Sequence, residues 1–190
     1  MDLRHSLKRL IYSKPFAKEA WIHCRTHFLQ SPSIYITNFI FQRLLRINSG
    51  VPWSVHFTST VIHGQNIRIG RNVDRSFAVS GGCYFQGFNG IKIGDETIFA
   101  PGVKLISANH GLNPQRRQGL IATRPIRIGK DCWLGANVVI LPGVELGDNV
   151  VVGAGAVVTK SFPSNVILVG VPAQSLEKLT NSSSRATITI

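Results

Sequence analysis

His110 is the strongest candidate for proton chemistry in this sequence, because imidazole can accept a proton near neutral pH and the residue lies in a polar, turn-forming run. The run, residues 107–125, reads Ser-Ala-Asn-His-Gly-Leu-Asn-Pro-Gln-Arg-Arg-Gln-Gly-Leu-Ile-Ala-Thr-Arg-Pro. General base is the role open to His110; a merely solvated loop histidine is the structural alternative. The remaining histidines are His5, His23 and His27 in a basic N-terminal part and His56 and His63 further on. His56, His63 and His110 do not show the close pair that a three-histidine zinc site needs. Cys24, Cys83 and Cys132 are odd in number and widely spaced, which fits neither a disulfide framework nor a zinc site. No metal is expected, and a reducing cytoplasm is the simplest home.

The elements that must position His110 announce themselves by period. From Ile128 an aliphatic residue returns every sixth position: Ile128, Leu134, Ile140, Leu146, Val152 and Val158. Helical faces recur near every 3.6 residues and half-buried strands every second one, so a beat of six means one short strand plus one turn, repeated. It is a solenoid signature. Four places after each aliphatic stands Cys132, Val138, Val144, Val150, Ala156 or Phe162, and both rows are expected to face inward. An earlier, looser series runs Val73, Val79, Phe85, Ile91, Thr97, Val103, with Ile69, Ile93, Phe99 and Leu105 as a companion row broken at Arg75, Gly81 and Gly87. Leu105 to Ile128 is 23 positions, not a multiple of six, so something is inserted between them. Long loops inside compact arrays are more often functional than accidental. The His110 run is that insertion.

Three segments follow from this pattern: residues 1–51, a basic helical cap or attachment segment; 52–174, the repeat array with the 107–125 loop; and 175–190, a polar tail. Leu3, Leu7, Leu10 and Ile11 fall at helical spacing among Arg4, Lys8, Arg9 and Lys14 before Ser13 and Pro15 interrupt. Residues 34–47, with Phe39, Ile40, Phe41, Leu44 and Leu45 beside Arg43 and Arg46, predict a second helix whose apolar side covers something. A cap on one end of the solenoid is the first reading; contact of residues 1–50 with an anionic membrane surface, at its inner face, is the second.

The chain of 190 residues is 44% hydrophobic, enough for one soluble globular domain with a core. No apolar run is long enough to span a bilayer, and the first residues lack the apolar stretch and cleavage site of a secretory leader. A net charge of +12 favours anionic partners, or is a solubilising surface. Nucleic acid is not expected, because the basic residues are scattered and match no groove-reading motif.

Several runs together resemble a known family: Ala-Pro-Gly-Val at 100–103, Ser-Ala-Asn-His at 107–110, Pro-Ile-Arg-Ile-Gly at 125–129, Cys-Trp-Leu-Gly-Ala-Asn at 132–137, Leu-Pro-Gly-Val at 141–144, Gly-Ala-Gly-Ala-Val-Val-Thr-Lys at 153–160 and Gly-Val-Pro-Ala at 170–173. The chain is similar, over about residues 60–178, to the hexapeptide-repeat acetyltransferases, nearest the maltose, galactoside and nodulation-factor O-acetyltransferase branch. The resemblance implies a mainly β fold, a left-handed parallel β-helix with three hexapeptides per coil, forming a homotrimer with active sites between subunits. General rules alone would choose the opposite hand for the crossovers.

The resemblance also implies roles. His110 would take the proton from an acceptor hydroxyl that attacks the thioester of acetyl-coenzyme A, a co-substrate and not a tightly bound cofactor. The N–H of Ala136 would face the oxyanion, and Ala154, Thr159 and Lys160 would contact the coenzyme. Trp133 would wall the site, with Asn109, Asn89 and Gln86 as candidates for contact with the acceptor; each of the last three could equally complete a turn. Relatives often carry Arg after Gly-Val-Pro-Ala to hold the coenzyme's phosphate, where this chain has Gln174 and Glu177, with Lys178 the nearest cation. The acceptor implied is a saccharide in cell-surface polysaccharide biosynthesis. Acetylation of a xenobiotic such as an antibiotic, and a scaffold without catalysis, are the alternatives.

Overall fold

The computed structural model describes residues 32–111 and 119–178. The Leu3 to Ile11 stretch, part of the insertion (112–118) and residues 179–190 lie outside the described residues. Short strands wind into a parallel β-helix with three faces. The first face holds β1 (Thr60–Ile62), β3 (Tyr84–Gln86), β6 (Lys104–Ile106), β9 (Val139–Ile140) and β12 (Val157–Val158), side by side in that order. The second holds β2 (Ile67–Ile69), β4 (Ile91–Ile93), β7 (Ile126–Ile128) and β10 (Glu145–Leu146). The third holds β5 (Ile98–Phe99), β8 (Trp133–Leu134), β11 (Val151–Val152) and β13 (Val166–Val169), then β14 (Gln174–Lys178), which runs antiparallel to β13.

Register explains the beat of six. Ile128 pairs with Leu146, Leu134 with Val152 and Ile140 with Val158, so three hexapeptides close one coil and each residue meets its counterpart in the next. Both rows point inward: every member from Ile128 to Val158 and from Cys132 to Ala156 is buried, and Phe162 packs against them partly buried. Each such Ile, Leu or Val contributes roughly 1.5–3 kcal/mol by leaving water. The glycine that follows four of these aliphatics is required by close approach of the coils. A Cβ at Gly147 would run into the Ser164 backbone of the next coil.

The early coils depart from the beat. Val61 pairs with Phe85 and Ile67 with Ile91, because a short helix, α2 (Asp74–Val79), stands where the first coil would place its third strand. Val79 is therefore exposed, not inward, although Val73, Phe85, Ile91, Thr97 and Val103 of the same series are buried. Phe77 of this helix takes the vacant interior space. Its ring lies 4.5 Å from Phe85 and 5.0 Å from Phe99 between centroids, with Trp53 at 5.6 Å.

A helix, α1 (Pro32–Phe39), continued by a π-helical turn at Ile40–Leu44, precedes the coils, but its orientation reverses the expectation. Ile36, Phe39, Ile40, Leu44 and Leu45 are exposed, whereas Asn38 and Gln42 are buried. The reason is hydrogen bonding. Asn38 donates to the Ala78 carbonyl (2.9 Å) and accepts from the Phe57 N–H (3.0 Å). Gln42 donates to the carbonyls of Asn48, Val51 and Trp53 and accepts from the Val55 N–H. Backbone groups in the irregular stretch before β1 need partners, and these two amides supply them.

At the other end, β14 continues to Lys178, so residues 175–178 are strand and not tail. Val51, assigned by pattern to the N-terminal segment, is part of the core. No helix among the described residues is long and apolar enough to cross a membrane.

Candidate active site

β6 ends at Ile106 and β7 opens at Ile126, so the insertion leaves the corner between the first and second faces. Its base is tied by one side chain. The Asn89 Nδ2 donates to the carbonyls of Ser107 (2.8 Å) and Ile121 (2.9 Å) and to Thr123 Oγ1 (2.9 Å), joining the outgoing and returning strands of the loop. Thr123 Oγ1 donates to the same Ser107 carbonyl, while the Asn89 N–H donates to Ser107 Oγ. Gln86 Oε1 accepts from the Ala108 N–H at 3.0 Å. Both amides thus engage the loop backbone. Ser107 and Thr123 were not singled out from sequence, since a lone hydroxyl in a turn-rich run carries no distinguishing signal.

Beyond that clamp the two strands of the loop pair briefly. His110 forms an antiparallel bridge with Leu120, and the Ile121 N–H donates to the Asn109 carbonyl at 2.8 Å. Asn109 and His110 are exposed. The imidazole is thus carried by backbone that pairs with the returning strand at Leu120 and Ile121.

The other candidates occupy different places on the prism. Ala136 and Ala154 sit one coil apart at the corner between the third and first faces, where the Gly155 N–H donates to the Ala136 carbonyl at 2.8 Å. Ala136 is half-buried and Ala154 exposed. Thr159 and Lys160 are exposed at the corner that bears the His110 loop, in the last coil, and Lys160 Nζ lies 5.6 Å from the Phe162 ring centroid. Trp133 projects from the third face, 48% exposed, between Ile98 and Val151 in the neighbouring strands. Gln174 is exposed at the start of β14. Within one chain, therefore, His110 and Ala136 stand on separate corners.

The other histidines and the cysteines among the described residues pack against their neighbours. Burial pushes the His56 imidazole below its ordinary value; its ring stacks on Phe57 and its Nδ1 meets Thr58 Oγ1 at 2.8 Å. The His63 ring is edge-on to Phe88. Burial pushes the thiols of Cys83 and Cys132 up. Among the described residues, no three of His, Cys, Asp and Glu gather as a metal site would need.

Sequence reasoning also missed a set of cations. Arg68, Lys92 and Arg127 share one register position on the second face. The signal was present in Ile-Arg-Ile-Gly at 67–70, Ile-Lys-Ile-Gly at 91–94 and Ile-Arg-Ile-Gly at 126–129.

Residues 125–160 match the family model for the hexapeptide repeat of succinyl-transferase. Galactoside O-acetyltransferase of Escherichia coli K12 is 38% identical over 133 residues, 70% of this chain and 62% of that protein. A putative acetyltransferase of Dictyostelium discoideum is 46% identical over 64% of this chain and 63% of its own length. The chain thus spans about three fifths of the length of these curated relatives. Among solved structures, a hexapeptide-repeat acetyltransferase of Vibrio cholerae complexed with acetyl-coenzyme A is 32% identical, covering 65% of this chain and 69% of that one, with a TM-score of 0.54. A galactoside acetyltransferase in complex with coenzyme A is 34% identical over 71% and 66% of the two chains, with a TM-score of 0.62. The fold shared with such structures is the left-handed parallel β-helix.

Proposed function

Because the chain belongs to the hexapeptide-repeat acetyltransferases, we propose that it transfers the acetyl group of acetyl-coenzyme A to a hydroxyl of a saccharide. The observation that carries this reading is the clamped insertion that presents an exposed His110. The imidazole takes the proton of the acceptor hydroxyl as its oxygen attacks the thioester carbonyl. The Ala136 N–H donates to the oxyanion that forms, and being a backbone group it needs no particular side chain there. Collapse expels the coenzyme thiolate, which recovers the proton from the imidazolium. Ala154, Thr159 and Lys160 hold the coenzyme, and Trp133 walls the thioester.

Three chains make the working unit. The placement of His110 and Ala136 on separate corners supports this, since a site using both is completed when a corner of one subunit meets another corner of its neighbour. The acceptor is a unit of cell-surface polysaccharide under assembly, met on the cytoplasmic side of the membrane. Exposed Ile36, Phe39, Ile40 and Leu44 beside exposed Arg43 and Arg46 support contact with an anionic bilayer there.

Release of free thiol from acetyl-coenzyme A with saccharide acceptors tests the reading. His110→Ala should lower kcat by about 10²–10⁴-fold, the usual worth of a positioned base, with the mass in solution by light scattering still that of three chains. Undiminished turnover in that variant would remove His110 from the mechanism. A wild-type protein that binds the coenzyme yet acetylates no saccharide would leave the xenobiotic and scaffold readings.

A further inference from the structure

The three faces of the β-helix differ in what they present to water. The outward row of the third face is apolar, Ile98, Trp133 and Val151, and that of the first is Thr60, Tyr84, Lys104, Val139 and Val157. The second face presents Arg68, Lys92 and Arg127 in successive strands, closed by Glu145. All three cations are exposed. Neighbouring strands lie about 4.8 Å apart, and like charges directly opposite one another repel.

The protein itself relieves little of this repulsion. Glu145 reaches only the end of the row, with Oε1 at 3.5 Å from Arg127 Nε. Arg68 Nη1 donates to the Gln65 carbonyl at 2.7 Å, and Lys92 has no acidic partner among the described residues. An open cleft of about 350 Å³ adjoins the row, lined among others by Gln65, Asn66, Arg68, Phe88, Lys92 and Pro125. It has cations on one side, amides able to bond hydroxyls, and a partly exposed aromatic ring suited to the face of a sugar.

Asn89 also lines the cleft, and the same side chain holds the Ser107 carbonyl at 2.8 Å. Ser107 is three residues from His110, at most about 11 Å of extended chain. A ligand in the cleft therefore lies within a few sugar units of the proposed base.

We propose that Arg68, Lys92 and Arg127, with the adjoining cleft, form a subsite for a phosphate or carboxylate carried by the acceptor, so that the enzyme prefers anionic saccharides to neutral ones. The inference rests on the saccharide reading above. Carboxylate and phosphate meet the same guanidinium and ammonium donors, and the acceptors tested separate them.

Kinetics with one hexose in three forms, neutral, as its 1-phosphate and as its uronate, test the proposal. The expected result is a KM at least about tenfold lower for one or both anionic forms, with the gap narrowing as salt rises. In the Arg68→Gln, Lys92→Gln, Arg127→Gln triple variant the ratio of neutral to anionic KM should fall to about one; Lys92→Gln alone, should the triple variant not fold, should reduce it severalfold. Equal KM values in the wild type, or a preference that survives in the variants, overturns the subsite. So does a matching rise in KM for acetyl-coenzyme A, which would move the cations to the donor side. If no form is acetylated, calorimetric titration with the sugar 1-phosphate and uronate decides: binding by the wild type and not by the variant upholds the subsite while the transferase reading falls, and no binding by either refutes it.

Discussion

Gln42→Leu should destabilise the protein although it replaces a buried polar side chain by an apolar one. The Gln42 side chain is 3% exposed. Its Oε1 accepts from the Val55 N–H at 3.2 Å, and its Nε2 faces the carbonyls of Val51 at 3.1 Å and Trp53 at 2.8 Å. Leucine would leave that N–H and those carbonyls without partners. At about 2 kcal/mol for the N–H and about 1 for each carbonyl, the loss is roughly 4 kcal/mol. A buried leucine returns about 1.5 kcal/mol by leaving water. The net loss of about 2–3 kcal/mol corresponds to a Tm lower by roughly 5–10 °C for a chain of this length. Leu44→Glu is the companion experiment. Leu44 is 70% exposed, so the charge should change stability by no more than about 0.5 kcal/mol, and Tm by under about 2 °C. Thermal unfolding of both variants, followed by circular dichroism, decides the matter. A stable Gln42→Leu together with a Leu44→Glu that loses many degrees would mean that the helix buries its apolar side, and the orientation described above would be wrong.

Two further outcomes are expected. Asn89→Asp sets carboxylate oxygens against the Ser107 and Ile121 carbonyls that the amide now bonds, so kcat/KM should fall about tenfold or more, with faster amide hydrogen exchange over residues 119–124; unchanged exchange would show that Asn89 does not hold the loop. Because burial raises the thiol pKa of Cys83 and Cys132 in the folded state, their stabilising contribution is complete below the ordinary thiol value near ~8.5 and declines as pH rises through the raised one. The urea midpoint should therefore drop more between pH 8 and pH 10 in the wild type than in Cys83→Ala, Cys132→Ala protein, and parallel drops would contradict the burial of the thiols.

The regular coils could be read from sequence because register places Ile128, Leu146 and their counterparts in one repeated environment, so a single rule covers them all. The insertion was legible for the complementary reason: it puts that rule out of phase between Leu105 and Ile128. What escaped was set by hydrogen bonding across long distances in the chain. Nothing in the spacing of Asn38 and Gln42 reveals that Phe57, Val55 and Trp53 will lack backbone partners. Val79 kept the beat by coincidence, and a six-residue helix occupied the place of a strand. At the site, His110 stood out by chemistry and position, whereas Gln86 and Asn89 were ambiguous between acceptor contact and turn completion until their partners were placed.

A stack of parallel coils has no intrinsic last member: each strand offers its far edge to another, and the end of one molecule could in principle seed the next. β14 interrupts that growth on one face. By running backwards against β13 it occupies the slot that the next coil's strand would take, and it does so in the opposite direction. An incoming coil would find this face closed to parallel pairing, so the three registers could not all be met at once. The reversal of five residues thus acts, on this face, as a stop against end-to-end growth.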